Sequence, residues 1–361
     1  MNQELLYPYV LQPKLTEAIW GGHELIERYG KHGDAAKLYG ESWECWDTNT
    51  VVNGVLAGKN ITALRTQLGT DLVGTDIDPS RIFPVLTKII TACDWLSVQV
   101  HPDDAYAQRV EHLPNGKTEC WYVLDAGENS ELVMGWARDT SREEYEHRVA
   151  DGTLGEILQR VPVKAGDAFY IPAGRVHAIG AGITIYETQQ ASDITYRMFD
   201  WNRVGADGKP RPLHIEKAAD VLNYRHQTSD GPLKELAYAY EGFQRTALIA
   251  ESHFLVERVT ATETPAELQT HNRPLIITAL ADGLKLTCAY GDVTVEPYQT
   301  ALIPAGASSA AARAVNRSAQ FMLILPSPTM ESLKKRFAGA GVAQPIIERF
   351  LGQFRPLSAS V

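Results

Sequence analysis

The tetrapeptide Ile171-Pro172-Ala173-Gly174 recurs as Ile303-Pro304-Ala305-Gly306, 132 residues further on. Each copy ends an apolar run, and Val163 and Val295 align upstream at the same offset. A Pro-x-Gly step after an apolar strand makes a sharp turn, because proline fixes φ and glycine accepts a left-handed backbone. Two such turns in equivalent places predict two sequential strand-rich units built on one plan. The copies differ where chemistry would sit. His177 follows Gly174 by three residues, whereas the matching place after Gly306 holds Ser309. One unit is armed and the other disarmed.

A chain of 361 residues is too long for one small core. The expected division is 1–225 for the armed unit, with N-terminal and helical insertions, and 226–361 for the degenerate unit and a tail with helical pieces. Local patterning predicts a short helix over Thr16–Gly30, a strand over Gly40–Asp47 and a helix over Ile61–Gly69. Strands follow from Leu96, over Thr118–Asp125, Val161–Tyr170 and Ile183–Thr188. A polar helical insert is read over Asp139–Leu158 and a helix over Leu213–Tyr224. The second half reads as strands from Phe254 to Leu325, then a helix over Met330–Phe337.

Net charge is −10 with no block of Lys or Arg, so a nucleic-acid or anionic-membrane partner lacks its basic footprint. No apolar run approaches the roughly 18 residues a spanning helix needs. The opening MNQELLYPYVLQPKL lacks a basic-then-apolar leader, so the expectation is a soluble, cytoplasmic protein. Cys45, Cys93, Cys120 and Cys288 form no CxxC pair and read as reduced structural thiols.

Alternation in Leu96-Ser97-Val98-Gln99-Val100-His101 puts Gln99 and His101 on one strand face, about 7 Å apart at Cα. Pro102 then ends the ladder. Glu119, Trp121 and Val123 share a face of the next strand. With His177, a Gln99/His101/Glu119/His177 set would make a mixed oxygen and nitrogen site. Zn²⁺ suits such donors, and Fe²⁺, Mn²⁺ or Co²⁺ could occupy them too. Taken singly, His101 and His177 could equally be satisfied core or loop histidines. Asp103 and Asp104 read as caps of the turn after Pro102.

The order Gly166, Pro172, Gly174, His177 fits the later half of the cupin motif. Gln99 stands at the first histidine of its earlier His-x-His, Glu119 comes after an insertion, and Gly127 follows. The motif's later Asn position holds Ala181. The fold class expected is therefore mainly β: two tandem cupin (double-stranded β-helix) barrels with a small helical insert.

Longer runs make the likeness more specific. They are Trp20-Gly21-Gly22, Pro84-Val85-Leu86-Thr87-Lys88, Leu96 to Asp104, Gly116-Lys117-Thr118-Glu119-Cys120-Trp121-Tyr122, Tyr170 to His177, and Glu187 to Arg197. On these residues the chain resembles the type I mannose-6-phosphate isomerase family in its short bacterial form. The resemblance implies a metal-dependent aldose–ketose isomerase that interconverts mannose 6-phosphate and fructose 6-phosphate through a cis-enediol(ate). It implies one zinc per chain on Gln99, His101, Glu119 and His177, with Arg197, Glu187 and Lys117 as catalytic residues.

The residues themselves agree with that chemistry. Glu187 has isoleucines at its own strand parity, surroundings that raise a carboxyl pKa toward a useful base. Its bland reading is a structural carboxylate paired with an arginine. Lys88 and Lys117 could contact the phosphate or hydroxyls of a small-molecule sugar phosphate, and Arg197 could stabilise the enediolate or hold the sugar. Two other classes stay open: a non-enzymatic sugar-phosphate-binding cupin, and an iron oxygenase, which Gln99 disfavours. No oligomeric state follows from the sequence.

Overall fold

A computed structural model describes residues 3–204, 208–227, 231–355 and 357. In chain order, the first strands are β1 (Tyr9–Gln12), β2 (Lys14–Gly22), β3 (Tyr39–Cys45), β4 (Thr50–Val51), β5 (Val85–Ala92), β6 (Val98–Val100) and β7 (Glu119–Ala126). Then come β8 (Glu131–Trp136), β9 (Leu158–Pro162), β10 (Ala168–Ile171), β11 (His177–Ile179), β12 (Ile183–Gln190) and β13 (Tyr196–Phe199). The second half supplies β14 (Leu236–Tyr240), β15 (Phe243–Ala250), β16 (Phe254–Thr262), β17 (Ala266–Gln269) and β18 (Leu275–Ala279). It ends with β19 (Leu284–Cys288), β20 (Gly291–Val295), β21 (Thr300–Ile303), β22 (Ser309–Ala314) and β23 (Ser318–Pro326).

The first barrel faces a six-stranded sheet, β10-β7-β12-β5-β3-β2, against a five-stranded one, β13-β6-β11-β8-β9. The second faces an eight-stranded sheet, β14-β15-β16-β23-β18-β21-β1-β4, against a four-stranded one, β17-β22-β19-β20. The mainly-β, two-barrel expectation holds, and the repeat is structural. β10 and β21 are equivalent at the 132-residue offset, and His177 and Ser309 each open the next strand. Two strands near the N-terminus, β1 and β4, extend the large sheet of the second barrel, with Val10 opposite Ala301.

Two sequence expectations are corrected. The helix read over Thr16–Gly30 is instead the edge strand β2 followed by a one-turn helix, Glu24–Glu27. Pairing with β3 overrides local helix propensity there. A Cβ on Gly21 would stand 2.4 Å from the Tyr39 carbonyl carbon, so glycine permits that close backbone pass. The single strand read over Val161–Tyr170 is two, β9 and β10, in opposite sheets. The break is a turn at Gly166 (φ 93°), where the Lys164 amide donates to Asp167 Oδ2 at 3.0 Å.

Other elements follow their signals. The helix Ile61–Leu68 is capped by Asn60, whose side chain accepts from the Ala63 amide. The polar insert is the helix Arg142–Ala150, capped by Ser141, with a 3₁₀ turn over Leu154–Ile157. Helices also form at Ile215–Val221, Met330–Gly339 and, in the tail, Gln344–Leu351. The last part of that tail, 358–361, lies outside the described residues. No helix among the described residues is long and apolar enough to cross a membrane.

One end of the first barrel's lumen is filled by Ile90, Trp121, Val123, Phe169 and Ile185. One end of the second barrel's lumen is filled by apolar residues including Ile277, Ala301, Ala312 and Phe321, and the other holds a buried cluster in which Glu257 pairs with Arg245 and Arg336. Between the barrels the two large sheets share one core, with Ile89, Tyr122 and Tyr186 against Ile276, Met322 and Ile324. A polar chain threads this core. Lys31 Nζ meets Glu44 Oε1 at 2.6 Å and donates to the Tyr298 carbonyl at 2.6 Å. Ser42 Oγ donates to Glu44 Oε1, and Thr300 Oγ1 to Glu44 Oε2. The Thr300 hydroxyl bonds Thr278, which in turn bonds the Tyr186 hydroxyl at 2.9 Å.

Removing one partner of a buried ion pair leaves the other charge uncompensated, at a cost of about 3–5 kcal/mol. Lys31→Met should therefore lower the unfolding free energy measured in urea by about 3–5 kcal/mol, because Glu44 is 1% exposed. An unfolding free energy within error of the parent protein's would show that Glu44 does not depend on Lys31.

Candidate active site

Three strands and one turn bring the expected ligands together. Within 4.8 Å of one another lie ring nitrogens of His101 and His177 and a carboxylate oxygen of Glu119, all buried. His101 Nε2 is 3.1 Å from Glu119 Oε1, and His177 Nε2 is 3.7 Å from Glu119 Oε2. The opposite ring nitrogens are anchored. His101 Nδ1 donates to the Ile194 carbonyl at 2.7 Å, and His177 Nδ1 to the Arg175 carbonyl at 2.8 Å. A carbonyl only accepts, so each Nδ1 carries the proton and each Nε2 presents a lone pair.

The Pro-Ala-Gly turn couples the two histidine segments. Gly174 has φ 84°, and its amide donates to the His101 carbonyl at 2.9 Å. A Cβ there would meet the Val221 carbonyl oxygen at 3.0 Å. Gln99 lies directly opposite His177 on β11 and directly opposite Arg197 on β13. Opposed residues of an antiparallel pair share a face, so all three belong to the lumen side.

Both Nε2 atoms and both Glu119 oxygens are buried without a directed hydrogen bond. Four orphaned donor-seeking atoms in one spot cost several kcal/mol in total unless something fills them. A divalent cation is the group they fit. Their protonation agrees. Burial, then the Lys117 ammonium, pushes the His101 pKa down to about 3. Burial also lowers that of His177. Burial opposes the Glu119 charge, but the Lys117 ammonium beside it holds its carboxyl well below the usual range. Lys117 Nζ stands 2.9 Å from Glu119 Oε1.

Beside this pocket a single rung crosses the large sheet. Register places Phe169, Trp121, Glu187, Lys88, Trp43 and Lys14 directly opposite one another on six adjacent strands. Trp121 Nε1 donates to Glu187 Oε1 at 2.9 Å. Lys88 Nζ is 3.3 Å from Glu187 Oε2 and 3.3 Å from Glu41 Oε2. Trp43 Nε1 donates to Glu41 Oε2 at 2.7 Å. Burial, reinforced by the Glu119 charge, raises the Glu187 pKa to about 7, while Lys88 works against the rise. Burial disfavours the Lys88 ammonium, yet Glu41 and Glu187 raise its pKa above the ordinary lysine value.

Arg197 closes the other side. Its Nη1 donates to the Pro212 carbonyl at 3.0 Å, and its Nε is buried without a partner. Burial, then Arg211, depresses its pKa. Close by, Asp200 is gripped by Arg203 and by both ends of Arg211. Arg203 also donates to Asp94 Oδ2 at 2.9 Å, so the two aspartates balance Arg203 and Arg211.

The structure thus places Gln99, His101, Glu119 and His177 around one lumen, with Lys117 on Glu119 and Arg197 beside Gln99. Glu187 pairs with Lys88 and not with an arginine. Asp103 caps the Asp104–Tyr106 helical turn, and Asp104 Oδ1 accepts from the Gly116 amide. Sequence reasoning missed Glu41, Trp43 and the Arg203–Arg211 pair. Only cross-strand register shows that Trp43 faces Lys88, and that register is invisible in spacing.

Residues 9–137 match the family described as phosphomannose isomerase type I, catalytic domain. The mannose-6-phosphate isomerase of Streptococcus mutans is 41% identical over 254 residues, covering 69% of this chain and 77% of that protein. The chain belongs to the type I phosphomannose isomerase family. A crystal structure of the Bacillus subtilis mannose 6-phosphate isomerase superposes with TM-score 0.78 at 29% identity, over 88% of this chain and 99% of that one. A zinc-bound mannose 6-phosphate isomerase structure, 13% identical, shares the fold with TM-score 0.70 over 89% of this chain and all of that one. The two barrels are the cupin barrels of this phosphomannose isomerase fold.

The orphaned atoms make metal uptake directly measurable. Plasma mass spectrometry on protein dialysed against zinc should find one equivalent per chain. His101→Ala and His177→Ala proteins should retain little, since losing one of a few ligands costs orders of magnitude in affinity. Full zinc content in both variants would place the metal elsewhere.

Proposed function

We propose that this protein is a zinc-dependent mannose-6-phosphate isomerase, interconverting mannose 6-phosphate and fructose 6-phosphate through a cis-enediol(ate). The observation that carries this reading is a metal-fitting His101/Glu119/His177 pocket sharing its lumen with a buried carboxylate of near-neutral pKa. The zinc-bound relative of the same fold supports zinc as the ion. Gln99, His101, Glu119 and His177 would hold one zinc per chain. When bound, the ion supplies a Lewis acid that polarises a sugar oxygen.

The chain's own residues account for the proton transfer and the binding. Glu187 takes the proton from the carbon next to the carbonyl and returns it to the neighbouring carbon, on one face of the sugar. Its Oε2 serves, because Oε1 is held by Trp121. The pKa of about 7 keeps it strong enough to accept the proton and able to release it. Lys117 and Arg197 stabilise the oxygen that gains charge at the enediolate. Lys88 contacts a sugar hydroxyl from beneath. The substrate's phosphate lies at the far end of the sugar from these groups. Binding energy at that end can then be used at the carbons. A sugar phosphate is charged and membrane-impermeant, which is why we place the reaction in the cytoplasm.

Zinc-loaded protein given mannose 6-phosphate should form fructose 6-phosphate, a chelator should abolish this, and added zinc should restore it. No turnover after reconstitution would leave sugar-phosphate binding without catalysis as the better reading. Glu187→Gln should keep its zinc and lose about 10²–10⁴-fold in kcat. Loss of zinc in that variant would put Glu187 among the ligands.

The pH dependence has a definite sign. Glu187 acts deprotonated, so kcat/KM should fall as pH drops through its pKa, about tenfold per unit below the inflection. Zinc on Glu119 weakens one cause of the rise, so the acid inflection should lie at or below about 7. A profile flat from pH 8 to pH 4 would remove Glu187 as the base.

A further inference from the structure

We propose that Glu41 is a positioning residue that acts on Glu187 through Lys88. The inference rests on the reading of Glu187 as the base. Lys88 is 3% exposed and its ammonium sits midway, 3.3 Å from Glu41 Oε2 and 3.3 Å from Glu187 Oε2. Its third side is the Trp43 ring, 5.1 Å from Nζ to the centroid.

The two carboxylates are not equivalent. Glu41 accepts from the Trp43 indole at a favourable 2.7 Å. Glu187 accepts from Trp121 through Oε1, and its Oε2 is buried without a directed hydrogen bond. Lys88 is near enough to attract Oε2 but is not aimed at it. That unsatisfied oxygen is where a proton would go.

A single buried ammonium between two carboxylates is divided between them. Without the Glu41 charge, Lys88 would be drawn wholly to Glu187, the remaining anion in its reach, and would cap Oε2. Glu41 prevents this by holding Lys88 midway between the two carboxylates. The other charges that face Glu187 are Lys117, from the segment entering β7, and Glu119 on β7. Neither restrains Lys88.

This assigns a purpose to the Glu-x-Trp run of β3. Glu41 and Trp43 lie two residues apart on one face, and together they fix the far side of Lys88.

A double-mutant cycle in zinc-loaded protein tests the idea. Glu41→Gln keeps the shape of the side chain and its bond from Trp43 but drops the charge. It should lower kcat for mannose 6-phosphate about tenfold or more with KM changed less than about threefold, since only the reacting end is disturbed. Zinc content and melting temperature should stay close to the parent values. In a Lys88→Gln background, which still offers both carboxylates a donor, the same replacement should change kcat less than about twofold.

Equal losses from Glu41→Gln in both backgrounds would overturn the proposal, because Glu41 would then act without Lys88. A raised KM at unchanged kcat would also overturn it, making Glu41 a substrate contact. So would loss of zinc or of folded protein in Glu41→Gln, which would make its role structural. An inactive parent enzyme defeats the isomerase reading itself, whereas an active parent with additive losses defeats only this inference.

Discussion

Everything in the first barrel depends on burying ionised side chains where water cannot reach them. A charge in such a place survives only if a partner of opposite sign or a set of directed hydrogen bonds compensates it. Lys88, Lys117, Glu119 and Glu187 are each no more than 4% exposed, and Glu41 is only partly open. Their balance explains the composition of the lumen. Lys88 answers Glu41 and Glu187, Lys117 answers Glu119, and two indole donors steady the carboxylates. What the protein leaves uncompensated is informative in the same terms. The inner histidine nitrogens, the Glu119 oxygens and Glu187 Oε2 all lack a directed hydrogen bond, even where an ammonium stands nearby.

The same logic separates the barrels. At the offset where one carries His177, the other carries Ser309, and its lumen joins apolar packing to a buried Arg245–Glu257–Arg336 cluster whose charges pair with one another. The second barrel's large sheet covers the outer face of the catalytic sheet, where Tyr186, the neighbour of Glu187, reaches Thr278. A strand that must hold a carboxylate to within a fraction of an ångström gains from being packed on both faces.

The ligands and the barrel plan were legible in the sequence because both rest on short-range signals. Strand parity at Gln99 and Glu119, and the Pro-Ala-Gly turn before His177, are fixed within a few residues. The Thr16–Gly30 stretch misled because its periodicity is weak and its conformation is set by β3, a partner some twenty residues away. The Val161–Tyr170 run misled because both pieces are apolar and only the turn at Gly166 parts them. Glu41 and Trp43 stayed unseen for a further reason. Their meaning lies in which residue of β5 stands opposite, and alternation along one strand says nothing of register with the next.

β1 has a consequence for how such a chain is made. Its neighbours are β4, which lies nearby in sequence, and β21, some 290 residues later. Synthesis runs from the N-terminus, so the first strand to emerge waits for nearly the whole polypeptide before its longer edge is paired. The strands of the catalytic barrel's own two sheets all lie between Lys14 and Phe199, so it is the join between the halves that must wait. The two halves are fastened by a contact of very high sequence separation, the kind that forms slowly and late. A nascent or truncated chain lacking β21 carries an open strand edge, and with it an exposure to mispairing that the completed molecule has closed.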